Sequence, residues 1–493
     1  MTTVIPPDGL LLALLILPLL TAPIVWRVSP RWAERVHVLS LTLLLMLGSA
    51  LAARVSTDGP VSAIGFLYVD ALSALLVGLV CLVGWGAGLY AVGYLRCDVS
   101  ENRLGPEAPR YFALWYHLFL GTMLTVLVVE NLGLMWVAME ATTLASALLV
   151  GFYRTEQAVE AAWKYLIICT VGLTLALFGV LIMYYAGIQA LGSEEAALSW
   201  RALTAAAQRL DPNLLKLAFV FIVVGYGTKA GLAPLHTWLP DAHSQAPTPV
   251  SAVLSGVLLP CALYTILRFH AITVGGVGAP FSSHVLIAFG LFSAAVAVPF
   301  ILLQRDVKRL LAYSSIEHIG VVTAAIGIGG ETALFAAALH LVGHALSKAL
   351  LFFAAGNIVG RYGTRTLRRI RGATSVLPIS SVAIFGGVLV LAGAPPSALF
   401  TSELGILGAA FQRGYAFVGV LLLSCLAIIF VGLLFHVSRL VFGQAPAGLP
   451  RGEHPGQLVL LGMPLLAVAL LGIIVPPPLA SMLRQAARAL GLP

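Results

Sequence analysis

The sequence predicts an all-α polytopic membrane protein of about 14 transmembrane helices, and three observations lead there. Hydrophobic residues make up 60% of the 493-residue chain and charged residues only 10%, against about 25% charged in soluble globular proteins. Apolar runs of about 20 residues, enough to cross a bilayer, recur from end to end. Two of these runs combine a charge with helix-breaking prolines, a combination tolerated in lipid only where it lines a polar path.

The spans fall at 9–26, 36–54, 70–95, 111–129, 131–153, 161–186, 213–235, 248–270, 284–303, 308–328, 332–359, 376–411, 415–441 and 457–475. The first lacks a basic leading region and a small-residue cleavage site, so it reads as a retained helix and not a signal peptide. The seventh holds Lys229, with Pro234 five residues on, inside FVFIVVGYGTKAGLAPLHTWLP. A charge at that depth costs roughly 3 kcal/mol or more, and the proline frees backbone groups that lipid cannot satisfy. The twelfth span is too long for one straight helix and breaks at Gly393, Pro395 and Pro396. Beyond the fourteenth, ASMLRQAARALGLP forms a short amphipathic tail.

The chain reads as a single membrane domain, 1–493, in four parts: three N-terminal spans (1–110), a first repeat (111–270), a second repeat (284–441), and a C-terminal helix with its tail (457–493). The repeat rests on pattern. Span 5 carries Glu140 and span 7 is broken beside Lys229; five spans on, span 10 carries Glu317 and span 12 is broken near Glu403. An odd shift reverses orientation, so spans 4–8 and 9–13 would form two inverted five-helix repeats with broken helices 7 and 12, as in many transporters. Odd-numbered loops hold 17 Lys and Arg residues against 8 in the even loops and C-terminus. The odd loops therefore face the cytoplasm and both termini face outward. The net charge of +8 reflects this bias and does not point to nucleic acid.

Several chemistries are not encoded. The five cysteines are scattered with no CxxC pair, so no disulfide framework or iron–sulfur site is expected. No phosphate loop or dinucleotide fingerprint occurs. We expect no cofactor, no metal and no catalytic site.

The informative residues are the ionisable ones inside spans: Glu140, Lys164, Lys229, Glu317, His318, His340, His344, Lys348, Glu403 and His117. His340, His344 and Lys348 step by four and so share one face of span 11, about 6 Å apart per step. Two histidines at that spacing suit zinc, but no HExxH motif or third ligand is evident. His117 reads as a packing residue. Glu130 and Lys216 read as snorkelling at the interfaces, and Lys164 follows Glu160 by one turn, which suits a local ion pair. For Glu140 and Lys229 a purely structural pair is disfavoured, because buried pairs stabilise weakly and the helix break adds a further cost. The chemistry such a set supports is proton relay: a carboxylate that moves relative to a buried lysine changes how firmly the lysine holds its proton, and histidines and water carry protons between such switches.

At GTKAGLAPLHTWLPDAHSQAPTPVSAVLSG (227–256) the chain closely resembles the antiporter-like subunits of respiratory complex I and of the multisubunit sodium/proton antiporters. The resemblance continues through ENLGLMWVAMEATTLASALLVGFY (130–153), DVKRLLAYSSIEHIG (306–320) and HLVGHALSKALLFFAAGNI (340–358). It implies that Glu140 is the family's span-5 glutamate and Lys229 its span-7 lysine. It further implies that His340, His344 and Lys348 form the span-11 relay, and that Glu403 in FTSELGIL is the terminal acidic residue. One departure stands out. Where some members carry a lysine or histidine in span 8, this chain reads LSGVLLPCALYTILRF, with Pro260 at that place. Glu317 and His318, in SSIEHIG, are the expected replacements; adjacent helix residues point about 100° apart, so only one is expected to face the path, and Glu317 is favoured because a carboxylate between Lys229 and Lys348 could be stabilised by either lysine and pass a proton between them. This motif and the short C-terminus most resemble the F subunit of hydrogenase 4 and formate-hydrogenlyase-type complexes.

The resemblance implies a proton-translocating subunit of a redox-driven complex in a prokaryotic inner membrane. Its partners would be other membrane subunits, a peripheral cytoplasmic redox arm, the bilayer, and protons as the transported ion. A sodium/proton antiporter subunit without a redox partner and a non-pumping anchor of a catalytic arm are the alternatives. A free-standing enzyme is disfavoured by the missing cofactor site.

Overall fold

The computed structural model describes residues 7–453 and 456–489, so the last four residues of the expected tail lie outside it. Apolar segments long enough to close their own backbone hydrogen bonds form helices throughout. In order they are α1 Pro7–Arg27, α2 Pro30–Asp58, α3 Ala71–Ser100, α4 Ala108–Val128, α5 Leu132–Val150 and α6 Glu156–Leu191. A small hairpin, β1 Val61–Ala63 and β2 Leu67–Val69, sits between α2 and α3, with Val61 opposite Val69. There follow α7 Pro212–Ala230, α8 Trp238–Gln245, α9 Thr248–Val277, α10 Ala279–Leu302, α11 Val307–Ile328 and α12 Gly330–Tyr362. Last come α13 Pro378–Leu391, α14 Ala398–Gln412, α15 Ala416–Val441, α16 Gly456–Ile473 and α17 Pro477–Ala489.

Among the described residues, 12 helices are long and apolar enough to cross a membrane, or 13 if α16 and α17, bent by 75°, count as one span. The expected count of 14 would need α13 and α14 to act as one further span, and each is short by itself. The layers follow burial. The apolar windows of α9 and α11 are 100% buried and that of α12 is 89% buried, whereas those of α2, α6, α10 and α15 lie between 33% and 39%. Among the described residues, the first three are therefore the long helices best able to carry polar groups on every side away from lipid. The outer ones present apolar stripes, such as Trp163, Ile167, Val171, Phe178, Leu181 and Tyr185 along α6, all more than half exposed or nearly so. Close contacts between helices use small residues. A Cβ on Gly290 of α10 would meet the backbone of Gly320 and Ala324 on α11, and one on Gly320 would meet Gly290 in return.

Both expected breaks are present, and a glycine, not a proline, ends each helix. α7 stops at Gly231 (φ +80°) and α13 leads into Gly393 (φ +74°). In both, the glycine N–H bonds three residues back and the next N–H five back: Gly231 to Thr228 and Leu232 to Gly227, then Gly393 to Val390 and Ala394 to Leu389. This is the Schellman closure, which favours glycine at the left-handed position. Pro234, Pro395 and Pro396 follow inside the gaps. The freed groups find partners: Trp238 Nε1 donates to Thr228 O at 2.9 Å, Ala233 N to Ser293 Oγ at 2.9 Å, and Ser397 caps α14.

Two residues counted among the loop charges are buried in the bundle. Arg268 of α9 forms a two-pronged pair with Asp70 at 2.6 and 2.7 Å, flanked by Trp200 and Tyr264. Lys308 of α11 donates to Ala246 O at 2.6 Å. Neither signals topology as a free loop charge does.

Candidate functional site

In the first half, Lys229 sits one residue before the end of α7 and is fully buried. Its Nζ donates to Thr143 Oγ1 of α5 at 2.8 Å and to the Tyr165 hydroxyl of α6 at 2.5 Å, and lies 4.6 Å from the Tyr165 ring centroid. Tyr165 is joined in turn to Ser146 Oγ at 2.6 Å. Glu140 approaches from α5 but is held elsewhere: Oε1 accepts from Thr170 Oγ1 at 2.8 Å, and Oε2 is buried without a partner. The lysine is thus cradled by neutral hydroxyls, with its carboxylate nearby but not in contact. A buried charge so held is poised to respond if the carboxylate moves.

In the second half, Lys348 of α12 repeats the arrangement. It is fully buried, and its Nζ donates to Ser314 Oγ at 2.5 Å and Leu311 O at 2.9 Å, both on α11. One to two turns away lies a histidine chain. Glu317 Oε2 is 3.3 Å from His318 Nε2; His318 Nδ1 is 2.9 Å from His340 Nε2; His340 Nδ1 is 2.9 Å from Ser402 Oγ. Glu403 follows Ser402 on α14, buried, with Oε1 unpartnered. Glu317 Oε1 is also unpartnered. The chain therefore runs through α11 and α12 to the second helix break.

Between the halves the Pro260 position has its own geometry. Residues Leu254–Leu258 form a π turn inside α9, a distortion that proline favours by removing a backbone donor. In such a turn the partner of the Ser255 carbonyl would be residue 260, which has no N–H. That carbonyl instead accepts from His344 Nε2 at 3.2 Å, while Ser255 Oγ meets Ser315 Oγ at 2.7 Å. The absent side chain is replaced by an opened backbone carbonyl and two serines.

The remaining sequence candidates divide. Glu317 and His318 do not face different ways: both side chains enter the same cluster, because the His318 ring turns back onto the carboxylate beside it. The His340 and His344 rings both pack against the His318 ring, at 5.1 and 5.3 Å between centroids, yet their nitrogens address different partners, His318 and Ser402 for the first and Ser255 O for the second. Lys164 stands apart from the buried chain. It is half exposed and pairs with Glu160 at 2.6 Å and Asp241 at 3.4 Å, and Asp241 also meets Arg309 at 3.3 Å. His117 pairs with His37 at 3.1 Å between α4 and α2. Glu130 bonds Ser199 and Arg201 near the surface.

Tyr165, Thr143 and Ser314, which hold the lysines, were not singled out from the sequence, because hydroxyls in apolar helices are common. His243 was also missed. It lies on α8 just past the first break, fully buried with neither ring nitrogen partnered, 5.9 Å from the Phe352 ring and within electrostatic reach of Lys348 and Lys308. Its place in PDAHSQ, directly after the broken helix, was the available signal.

A bundle with two broken helices, the fully buried Lys229 and Lys348, and a chain of buried histidines and carboxylates beside the second is the arrangement of an antiporter-like membrane subunit. Residues 129–430 match the family described as NADH:quinone oxidoreductase/Mrp antiporter, TM, and the chain belongs to that family. It is 40% identical over 418 residues to the hydrogenase-4 component F homolog of Methylacidiphilum infernorum (isolate V4), covering 84% of this chain and 86% of that one. Its fold matches a chain of the membrane-bound sulfane sulfur reductase, an archaeal respiratory membrane complex, with a TM-score of 0.85 at 22% identity over 97% of both chains. It also matches a chain of the Mrp complex from Dietzia sp. DQ12-45-1b, with a TM-score of 0.84 at 22% identity over 98% of this chain and 97% of that one.

Proposed function

We propose that this chain is a proton-translocating subunit of a redox-driven membrane complex of the hydrogenase 4 type, set in a prokaryotic inner membrane with both termini outward. Its partners are neighbouring membrane subunits and a cytoplasmic redox arm. The observation that carries the reading is the fully buried Lys229 and Lys348, one per half, the first held by two hydroxyls and the second by a hydroxyl and a backbone carbonyl, with the His318–His340–Ser402 chain beside Lys348 leading toward Glu403. The relay consists of Glu140, Lys229, Glu317, His318, His340, His344, Lys348 and Glu403, with His243 and the Ser255 carbonyl bridging the halves. The matching glycine closures at the two breaks support a division into repeats at 111–270 and 284–441. Lys164 serves the cytoplasmic entrance through Asp241 and is not a relay member.

The energies are commensurate. Moving one charge against about 180 mV takes roughly 4 kcal/mol. Bringing a carboxylate to about 4 Å from a lysine changes its energy by about 4 kcal/mol at an effective dielectric near 20. A shift of Glu140 onto Lys229 is therefore a switch of adequate size.

Similarity to the Mrp complex favours a second reading, sodium/proton antiport without a redox partner. Proton uptake by the purified complex in liposomes, driven by its electron donor, distinguishes them. We expect equal rates with sodium and with potassium as the only alkali cation. Loss of uptake when sodium is removed would select antiport.

A further inference from the structure

Among the described residues the fold supplies no third ligand for the His340 and His344 pair weighed in the sequence, but it assembles a different trio. His318 on α11, His340 on α12 and Glu403 on α14 are far apart in the chain, yet each places one ligand atom within 4.8 Å of the other two, and all are buried. We propose that His318 Nδ1, His340 Nε2 and the Glu403 carboxylate form a binding site for Zn²⁺ through which that ion inhibits the subunit.

The donor set is that of an open zinc site: two imidazoles and one carboxylate, with the fourth position free for water. A tetrahedral ion with bonds near 2.1 Å holds its ligand atoms about 3.4 Å apart. The two ring nitrogens, now 2.9 Å apart, need to separate by a few tenths of an ångström while Glu403 moves inward. Glu403 is free to do so, since its Oε1 has no partner.

The outer partners also fit. Ligating histidines commonly bond through their second nitrogen to a carboxylate or another polar group, which fixes the ring. Here the second nitrogen of His340 is hydrogen-bonded to Ser402 at 2.9 Å, and that of His318 lies 3.3 Å from Glu317 without hydrogen-bond geometry, a gap that a small turn of the ring would close. Glu317 and Glu403, on losing their protons to a bound divalent ion, would together balance its charge in a buried setting. Magnesium, which takes oxygen ligands and keeps its waters, does not match two imidazoles. Glu403 lies against Gly393 at the second helix break, whose Pro395 and Pro396 are not covered by this chain.

Binding does not depend on the relay reading; inhibition rests on it, because the ion would occupy three relay members at once. The test uses the purified complex incubated with Zn²⁺ and dialysed. Wild type should retain one zinc more per complex than His340→Gln, and its zinc K-edge spectrum should show scattering from two imidazole rings that the variant lacks. Ser402→Ala, which keeps all three ligands, should weaken that binding about 10- to 100-fold, whereas His344→Gln should retain the ion. Equal zinc content and affinity in wild type, His340→Gln and Ser402→Ala would overturn the site. Should His340→Gln fail to assemble, wild-type affinity in Ser402→Ala would overturn it alone. Zinc bound at this site with undiminished proton transport would leave the site standing and overturn its inhibitory role.

Discussion

Proton translocation by a Lys229→Ala variant is expected to fall at least about a hundredfold, the scale lost when a positioned proton donor is removed, while the complex still assembles. Among the described residues, Lys229 is the one charged side chain hydrogen-bonded to Thr143 and Tyr165, so no neighbour is placed to replace its proton. Assembly should survive because alanine is apolar and removes a buried charge whose partners are neutral hydroxyls. Reconstituted vesicles with a trapped pH dye measure the first effect and native gels the second. Glu140→Gln should also lower transport sharply. Adding it to Lys229→Ala should change the result by no more than about 0.5 kcal/mol, since residues acting as one unit are not additive. Full additivity would mean that the two work separately.

The second large effect concerns α11. Helical geometry alone favoured Glu317 as the residue facing the path, with His318 as its hydrogen-bond partner or a packing residue and the smaller loss on substitution. The structure instead puts His318 between Glu317 and His340, at 3.3 and 2.9 Å. Glu317→Gln and His318→Ala are therefore each expected to reduce transport by about a hundredfold, as for loss of a proton-transfer group. Initial rates in the same vesicles decide this. A His318→Ala variant at wild-type rate, beside an inactive Glu317→Gln, would remove the histidine from the chain.

Much of this arrangement was legible because charge in an apolar run is conspicuous. Lys229, Lys348 and Glu403 announce themselves by what surrounds them in the sequence, and the i, i+4 spacing of His340, His344 and Lys348 places them on one face. What pattern does not reveal is partnership. Lys164 sits in an equally apolar run, yet its helix end is exposed and it pairs with Asp241 from α8. Arg268 and Lys308 look like loop charges because they lie at span ends, yet neighbouring elements cover both. The first break was expected at Pro234 and the second at Gly393 with Pro395 and Pro396; in both, the glycine two or three residues before the proline ends the helix because it takes the left-handed turn without strain. Pro260 looked like a gap in the path, whereas its lack of an N–H accompanies the π turn that frees a carbonyl for His344.

The central claim is that both halves form one relay and not two independent channels. The most direct test is the initial rate of proton translocation by Lys348→Ala beside Lys229→Ala, in vesicles matched for assembled complex. One continuous relay predicts that each single variant falls to background. A Lys348→Ala variant that retained half of the wild-type rate would contradict it.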